Sequence, residues 1–258
     1  MHALLVQSDI AWEDKAENYR RIEAMLRASP PEPGDLVLLP EMFDTGFSFR
    51  LDVTADRDGA TLAFLKRLAR EHEITLQGAR SVAGPDGKGR NRASIIGPDG
   101  ELVAEYDKIH PFSFGRETEF FAGGEQVIAY PWRAGEQVTT VCPAICYDLR
   151  FPELFRRGMK LGAEVFALGA NWPAPRALHR TILAQARAIE NQAYMLCVNR
   201  AGADPHLTYA GATVAFGPRG EALGQLGEEP GVLRVRIDLN SLREWRSTFP
   251  ATRDARLI

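Results

Sequence analysis

Several residues and patterns are scarce in this chain, and each scarcity removes a class of function. No apolar run approaches the ~20 residues that a membrane-spanning helix needs. Neither sign of charge dominates: 31 Lys and Arg stand against 34 Asp and Glu, a formal net charge of -3. That balance leaves no electrostatic footprint for nucleic acid or an anionic membrane. The five histidines, His2, His72, His110, His179 and His206, form no pair at metal-ligand spacing, so no metal site is expected. A G-x-S-x-G elbow and a glycine-rich phosphate loop are both missing, which sets aside two large enzyme classes. Only three cysteines are present, an odd count that suits free thiols better than a disulfide framework. The opening Met1-His-Ala-Leu-Leu-Val-Gln-Ser-Asp9 has no basic leader and turns polar early. No signal peptide is therefore expected, and the expected compartment is the reducing cytoplasm.

What is present is ordinary soluble-protein composition, 45% hydrophobic and 25% charged over 258 residues, enough to bury a substantial core. Strand and helix signals alternate. Ala3 to Gln7, Asp35 to Glu41 and Ile74 to Val82 read as strands. Between them, helices are expected over Glu13 to Ala28 and Ala60 to Glu71. Ala93 to Lys108 reads as a hairpin around Gly97-Pro-Asp-Gly100, and the phrase recurs as Thr213-Val-Ala-Phe-Gly-Pro-Arg-Gly220. Strands follow at Val141 to Ile145, Ala163 to Ala170, Met195 to Asn199, Ala210 to Phe216 and Val232 to Leu239. A helix over Ala177 to Gln192 is expected to turn Ile182, Ala186 and Ile189 inward. Residues 111–125 read as a long loop, and the tail after Asn240 as a short helix. No linker divides the chain, so residues 1–258 are expected to form one α/β layered domain of two similar halves.

The stretch Val141-Cys-Pro-Ala-Ile-Cys-Tyr-Asp-Leu-Arg-Phe-Pro-Glu-Leu154 holds the most chemistry. A short buried strand ends at Ile145, and Pro152 with Glu153 marks a helix start. Cys146 falls in the turn between them, where free N–H groups favour a thiolate and hold an oxyanion. A buried structural cysteine is the competing reading. Cys142 shares a strand face with Ala144 and Cys146 and reads as a small core residue, as does Cys197.

In α/β folds ligands gather at the carboxyl ends of strands. Glu41, Lys108, Cys146 and Asn171-Trp172 all stand at such ends. A thiol attacking an amide needs a base, an oxyanion donor and an acid for the leaving amine. A carboxylate and an ammonium supply these, although Glu41 or Lys108 taken singly reads as a solvated surface group.

Leu39-Pro-Glu-Met-Phe43, Tyr106-Asp-Lys-Ile-His110 and Ile145-Cys-Tyr-Asp-Leu-Arg-Phe-Pro-Glu153 resemble, in order, the glutamate, lysine and cysteine motifs of the nitrilase (carbon–nitrogen hydrolase) superfamily. Ala170-Asn-Trp-Pro173 and Arg187-Ala-Ile-Glu-Asn191 are similar to the segments that follow in that family. The resemblance implies a four-layer αββα sandwich and a Glu–Lys–Cys triad working through a thioester, with no metal or organic cofactor. On this chain it makes Cys146 the nucleophile, Glu41 the general base and acid, and Lys108 with the Tyr147 N–H the oxyanion donors. It also implies a second glutamate, matched by Glu117 with Glu119 as rival. Pro143-Ala144, where many relatives have a glycine nearby, and Pro111, where leucine is common, depart from the pattern.

Within the superfamily, Pro40-Glu-Met-Phe-Asp-Thr-Gly-Phe47 and Phe112-Ser-Phe-Gly-Arg-Glu-Thr-Glu119 look most like the bacterial omega-amidase branch. That implies hydrolysis of the terminal amide of small 2-oxo dicarboxylic acid monoamides, 2-oxoglutaramate and 2-oxosuccinamate. Arg150 has two candidate roles, binding an anionic substrate or orienting the Cys loop. Phe43, Phe47, Phe114 and Trp172, with Asn171, are candidate pocket residues, the aromatics also fitting a core. The alternatives are another amidase, an N-carbamoyl hydrolase, or a non-catalytic interaction protein on the same sandwich. The resemblance further implies a homodimer or larger assembly, with Trp245 and Phe249 of the tail at an interface or packed on their own domain.

Overall fold

The computed structural model describes residues 1–256. Its strands are β1 (His2–Gln7), β2 (Leu36–Leu38), β3 (Thr75–Ala83), β4 (Gly89–Ile96), β5 (Leu102–Asp107) and β6 (Tyr130–Ala134), then β7 (Gln137–Ile145), β8 (Val165–Ala170), β9 (Tyr194–Asn199), β10 (Val214–Phe216), β11 (Ala222–Gln225) and β12 (Gly231–Arg236). The helices are α1 (Lys15–Ala28), α2 (Leu51–Thr54), α3 (Ala60–His72), α4 (Glu117–Phe120), α5 (Pro152–Lys160), α6 (Ala177–Asn191) and α7 (Leu239–Thr248).

The strands form two six-stranded sheets, ordered β12-β1-β2-β3-β4-β5 and β6-β7-β8-β9-β10-β11. Both run through the same pairings in that order: antiparallel, parallel, parallel, antiparallel, antiparallel. The expected similarity of the two halves is thus a topological fact. β12, from the end of the chain, takes the edge in the first sheet that β6 takes in the second.

Strand parity sorts the apolar residues into layers. Ala3 and Leu5 of β1, Leu36 and Leu38 of β2, Val165 and Ala167 of β8 and Leu196 and Val198 of β9 share one core between the sheets. The alternate residues face outward onto helices: Leu4, Val6 and Val37 pack with Ile22, Leu26, Leu65 and Leu68 of α1 and α3. On the other side Cys142, Phe166, Leu168 and Met195 pack with Leu154, Phe155, Ala184 and Ala188 of α5 and α6. Central strands covered on both faces carry near-continuous apolar runs, as β8 and β9 do. The architecture is the four-layer αββα sandwich.

Four local expectations change. The inner line of α6 is Arg180, Ala184, Arg187, Ala188 and Asn191, while Ile182 and Ile189 are 55% and 51% exposed. Both arginines are buried because carbonyls receive them: Arg180 donates to Gly211 and Ala212, and Arg187 to Leu149. β6 was hidden by its proline, and Pro131 sits exposed on an edge strand, between inward Tyr130 and Trp132. Residues 111–125 contain a turn at Ser113–Gly115 and helix α4. β10 begins only at Val214, since Gly211 and Ala212 both take positive φ (54°) and turn the chain first.

Candidate active site

The two sheets bring their strand ends to one place. β2 stops at Leu38, and the next residues cross towards the second sheet, Leu39 bonding to Gln77 and Phe43 to Ala79 of β3. A Cβ on Gly169 of β8 would lie 2.6 Å from the Leu39 carbonyl and 3.2 Å from the Glu41 nitrogen. Only glycine allows that approach. Asn171, just past β8, then clasps the segment: its N–H donates to Glu41 Oε2 (2.9 Å) and its Nδ2 to the Glu41 carbonyl (2.8 Å).

Glu41, Lys108 and Glu117 are all buried. Lys108 Nζ donates to Glu41 Oε1 (2.8 Å) and to Glu117 Oε2 (2.8 Å), and lies 5.3 Å from the Phe47 ring centroid. Burial alone would strip the proton from Lys108, but the Glu117 and Glu41 carboxylates outweigh it and raise its pKa, holding an ammonium. Glu117 Oε2 also accepts from the Phe112 N–H (2.6 Å), fastening the start of the loop. Glu119, the rival, is an exposed partner of Arg116.

Cys146 takes φ 45°, the left-handed region, at the first position of a 3₁₀ turn running to Arg150. Non-glycine residues are held there only by surrounding structure. Asp148 supplies it: its carboxylate accepts from Ile145 N (3.0 Å), Tyr106 Oη (2.7 Å), His110 N (3.1 Å) and His110 Nδ1 (2.8 Å). Arg187 adds two bonds to the Leu149 carbonyl (3.1 and 2.9 Å). The N–H groups at the start of such a turn have no partner within it. Burial, and after it the neighbouring Glu41 carboxylate, push the Cys146 thiol well above the usual thiol range, with Lys108 opposing. That direction favours the neutral thiol, next to the Glu41 side chain. Cys142 is core, packed under α5, its thiol pushed up to about 12 by burial.

A narrow cavity opens above Cys146 and Lys108. Its walls include Phe47, Asn171 and Trp172, as the sequence suggested, together with Phe112, Leu207, Tyr209 and the Tyr147 side chain, which it did not. Arg150 and Arg176 also line it, and neither has a carboxylate partner among the described residues. The Arg150 guanidinium lies 4.9 Å from the Trp172 ring centroid and reaches His179 Nδ1 at 3.4 Å. Arg176 lies 5.5 Å from Phe112. Two expected wall residues are elsewhere. Phe43 is buried in the outer core against Tyr19 and Phe64, because the residue after Met42 turns back towards the helices. Phe114 is 83% exposed beside Phe112 and outside the cavity. Asn91, Arg176 and Tyr209 lie outside the motifs, and Asp148 lies within the cysteine motif without having been singled out; of the first three only Arg176, closely following Asn171-Trp172-Pro173, carried a local signal.

The profile of the carbon-nitrogen hydrolase family matches residues 3–247. The chain is 32% identical to the 2-oxoglutaramate amidase of Bacillus subtilis (strain 168), over 97% of this chain and 96% of that one. It is 33% identical to the omega-amidase YafV of Yersinia enterocolitica, over 97% of this chain and 94% of that one. The crystal structure of XC1258 from Xanthomonas campestris, a CN-hydrolase superfamily protein with an arsenic adduct in the active site, superposes with a TM-score of 0.91 at 32% identity, covering 100% of this chain and 98% of that one. The chain belongs to the carbon–nitrogen hydrolase family and is an amide-hydrolysing enzyme on the nitrilase fold.

Proposed function

We propose that the chain hydrolyses the terminal amide of a small 2-oxo dicarboxylic acid monoamide, such as 2-oxoglutaramate or 2-oxosuccinamate, to the acid and ammonia. One observation carries this reading. A thiol with an adjacent carboxylate lies under a small aromatic cavity walled by two arginines, Arg150 and Arg176, that have no carboxylate partner among the described residues. A guanidinium left unpaired in a pocket fits a substrate carboxylate, which it grips through charge-assisted hydrogen bonds. The similarity to a 2-oxoglutaramate amidase and an omega-amidase points the same way.

In this reading Glu41 takes the Cys146 proton as sulfur attacks the amide carbon. The oxyanion is held by Lys108 and the Tyr147 N–H, a kind of donor worth roughly 3–4 kcal/mol each. Glu41 returns the proton to the departing nitrogen, ammonia leaves, and a thioester remains. Glu41 then deprotonates a water that attacks the thioester, and the proton ends on the Cys146 sulfur as the acid is released. Glu117 balances the lysine charge. Asn171 holds Glu41, and Trp172 and Phe47 wall the acyl chain. The same reading makes the protein cytoplasmic, its three cysteines free and buried, and a homo-oligomer.

The test is ammonia release from 2-oxoglutaramate, 2-oxosuccinamate, glutamine and an N-carbamoyl amino acid, with Cys146→Ala, Arg150→Met and Arg176→Met alongside. Turnover of the oxo-amides, lost in Cys146→Ala and cut roughly 10–150-fold in kcat/KM by each arginine variant, is expected. Turnover of only the carbamoyl compound or glutamine would replace the substrate assignment and leave the triad in place. Folded protein inert on every amide would favour a binding role.

A further inference from the structure

The described mechanism leaves one buried polar side chain at its centre without a role. Asn91 of β4 is 2% exposed. Its Nδ2 donates to Glu41 Oε1 (2.8 Å) and to Glu117 Oε1 (3.1 Å), spending both amide hydrogens on two carboxylates. Its Oδ1 has no partner among the described residues. The orientation is dictated by chemistry, since an amide oxygen cannot face two carboxylates. Its backbone carbonyl accepts the Lys108 N–H (2.9 Å), so β4 presents Asn91 directly beside the lysine.

These bonds close a ring. Lys108 bridges Glu41 Oε1 to one oxygen of Glu117, and Asn91 bridges the same Glu41 oxygen to the other. Glu41 Oε1 thereby receives two donors, one for each lone-pair direction. Glu41 Oε2 receives only the Asn171 N–H (2.9 Å) and keeps a direction open. We propose that Asn91 is a positioning residue that occupies the second lone pair of Glu41 Oε1, so that proton transfer with Cys146 runs through Oε2. Asn91 also contributes no charge, which matters where two carboxylates already share one ammonium. A buried acceptor left unpartnered is a cost to folding, and the bonds made by Nδ2 are what it is exchanged for. The ionisable groups around the amide are Glu41, Lys108, Glu117 and Cys146, with Tyr209 near Glu41.

This inference rests on Glu41 acting as the base. The test compares Asn91→Leu, Asn91→Asp and Asn91→Ser with wild type and Glu41→Gln. Two readouts follow pH: kcat and KM for 2-oxoglutaramate, and the rate of Cys146 alkylation by iodoacetamide, which requires no substrate assignment. Asn91→Leu removes a charge-assisted bond from the ionised base, so kcat is expected to fall roughly 10–150-fold with KM changed less than about 3-fold. The acid limb of both profiles is expected about one unit higher, because the charged form has lost a donor. Asn91→Asp, which adds negative charge, moves the limb the same way and further. Asn91→Ser, which retains one donor in a smaller side chain, lies between and serves if the larger changes prevent folding. An acid limb left in place in every folded variant, whatever its melting temperature, overturns the inference and makes Asn91 a packing residue. If Glu41→Gln retains activity, the role of Glu41 falls instead and takes this one with it.

Discussion

Gly169 on the second sheet lies against the backbone of Glu41 from the first, so closely that a methyl group there would sit 2.6 Å from the Leu39 carbonyl. Glu41, the base of the proposed mechanism, is therefore held by a contact between sheets that no local sequence motif encodes. Gly169→Ala is expected to displace residues 39–41, lowering kcat by roughly 10²-fold, as small misplacements of catalytic groups do, while β8 still folds. A variant with wild-type kcat and only a lower melting temperature would contradict this.

Lys108→Met leaves Glu41 and Glu117 buried without a counter-charge. Breaking a buried pair in this way costs about 3–5 kcal/mol, measured by urea unfolding near pH 8. The loss is expected to shrink as the pH falls and the stranded carboxylates take up protons, and to shrink also in Lys108→Met/Glu117→Gln. An equal loss at pH 5 and pH 8 would show that packing, not charge, is what the lysine supplies.

Asp44 gives the fold a pH dependence of unusual sign. It is buried, with Oδ2 accepting from Thr61 Oγ1 (2.8 Å) and Oδ1 unpartnered, and burial pushes its carboxyl from 3.8 up to about 6. The folded state binds this proton more tightly than the unfolded chain. Stability from this group is thus fully present below pH ~4 and is lost as pH rises through ~6, by up to roughly 3 kcal/mol. Asp44→Asn is expected to gain on wild type as pH rises from 4 to 7, by up to roughly that amount, on top of a pH-independent cost from its new N–H in the unpartnered position. A stability difference that stays flat over this range would refute the assignment.

The outer face of α6 exposes Leu178 (69%), Ile182 (55%) and Ile189 (51%) in one stripe. We propose that a second copy of the chain covers it. Light scattering is expected to give a dimer or larger, and Leu178→Glu with Ile182→Glu to give a folded monomer. Monomeric wild-type protein at micromolar concentration would end the proposal. The tail offers less: Trp245 packs under Arg219, 4.7 Å away, and among its described residues only Phe249 is a large apolar side chain that stands out, at 54% exposed.

How much of this was legible follows from what is local. Cys146 could be placed at a strand-to-helix turn because Ile145 and Pro152 bracket it, and Glu41 and Lys108 because each ends an apolar strand. The layers could be read from continuous apolar runs such as Val165 to Ala170. Arg180 and Arg187 misled because a charged residue reads as outward, and the carbonyls that receive them come from residues 211, 212 and 149. Asn91 carried no signal at all: its neighbours Arg90 and Arg92 are polar too, and only the meeting of β4 with α4 and the segment after β2 gives it two carboxylates. Phe43 and Phe114 were equally apolar in sequence, and the backbone alone decides that one is core and the other exposed.

The cavity draws its floor and its rim from different parts of the chain. Cys146 and Lys108 stand at its floor just past strand ends, Lys108 tied to the buried Glu41 and Glu117, whereas Arg176, Leu207 and Tyr209 come from connections after β8 and β9. In the proposed mechanism, proton handling and part of the grip on the acyl group thus sit on different segments of the chain. Redesign towards a neutral or bulkier amide can begin in the two connections while the Glu41–Lys108–Asn91 ring beneath them stays untouched.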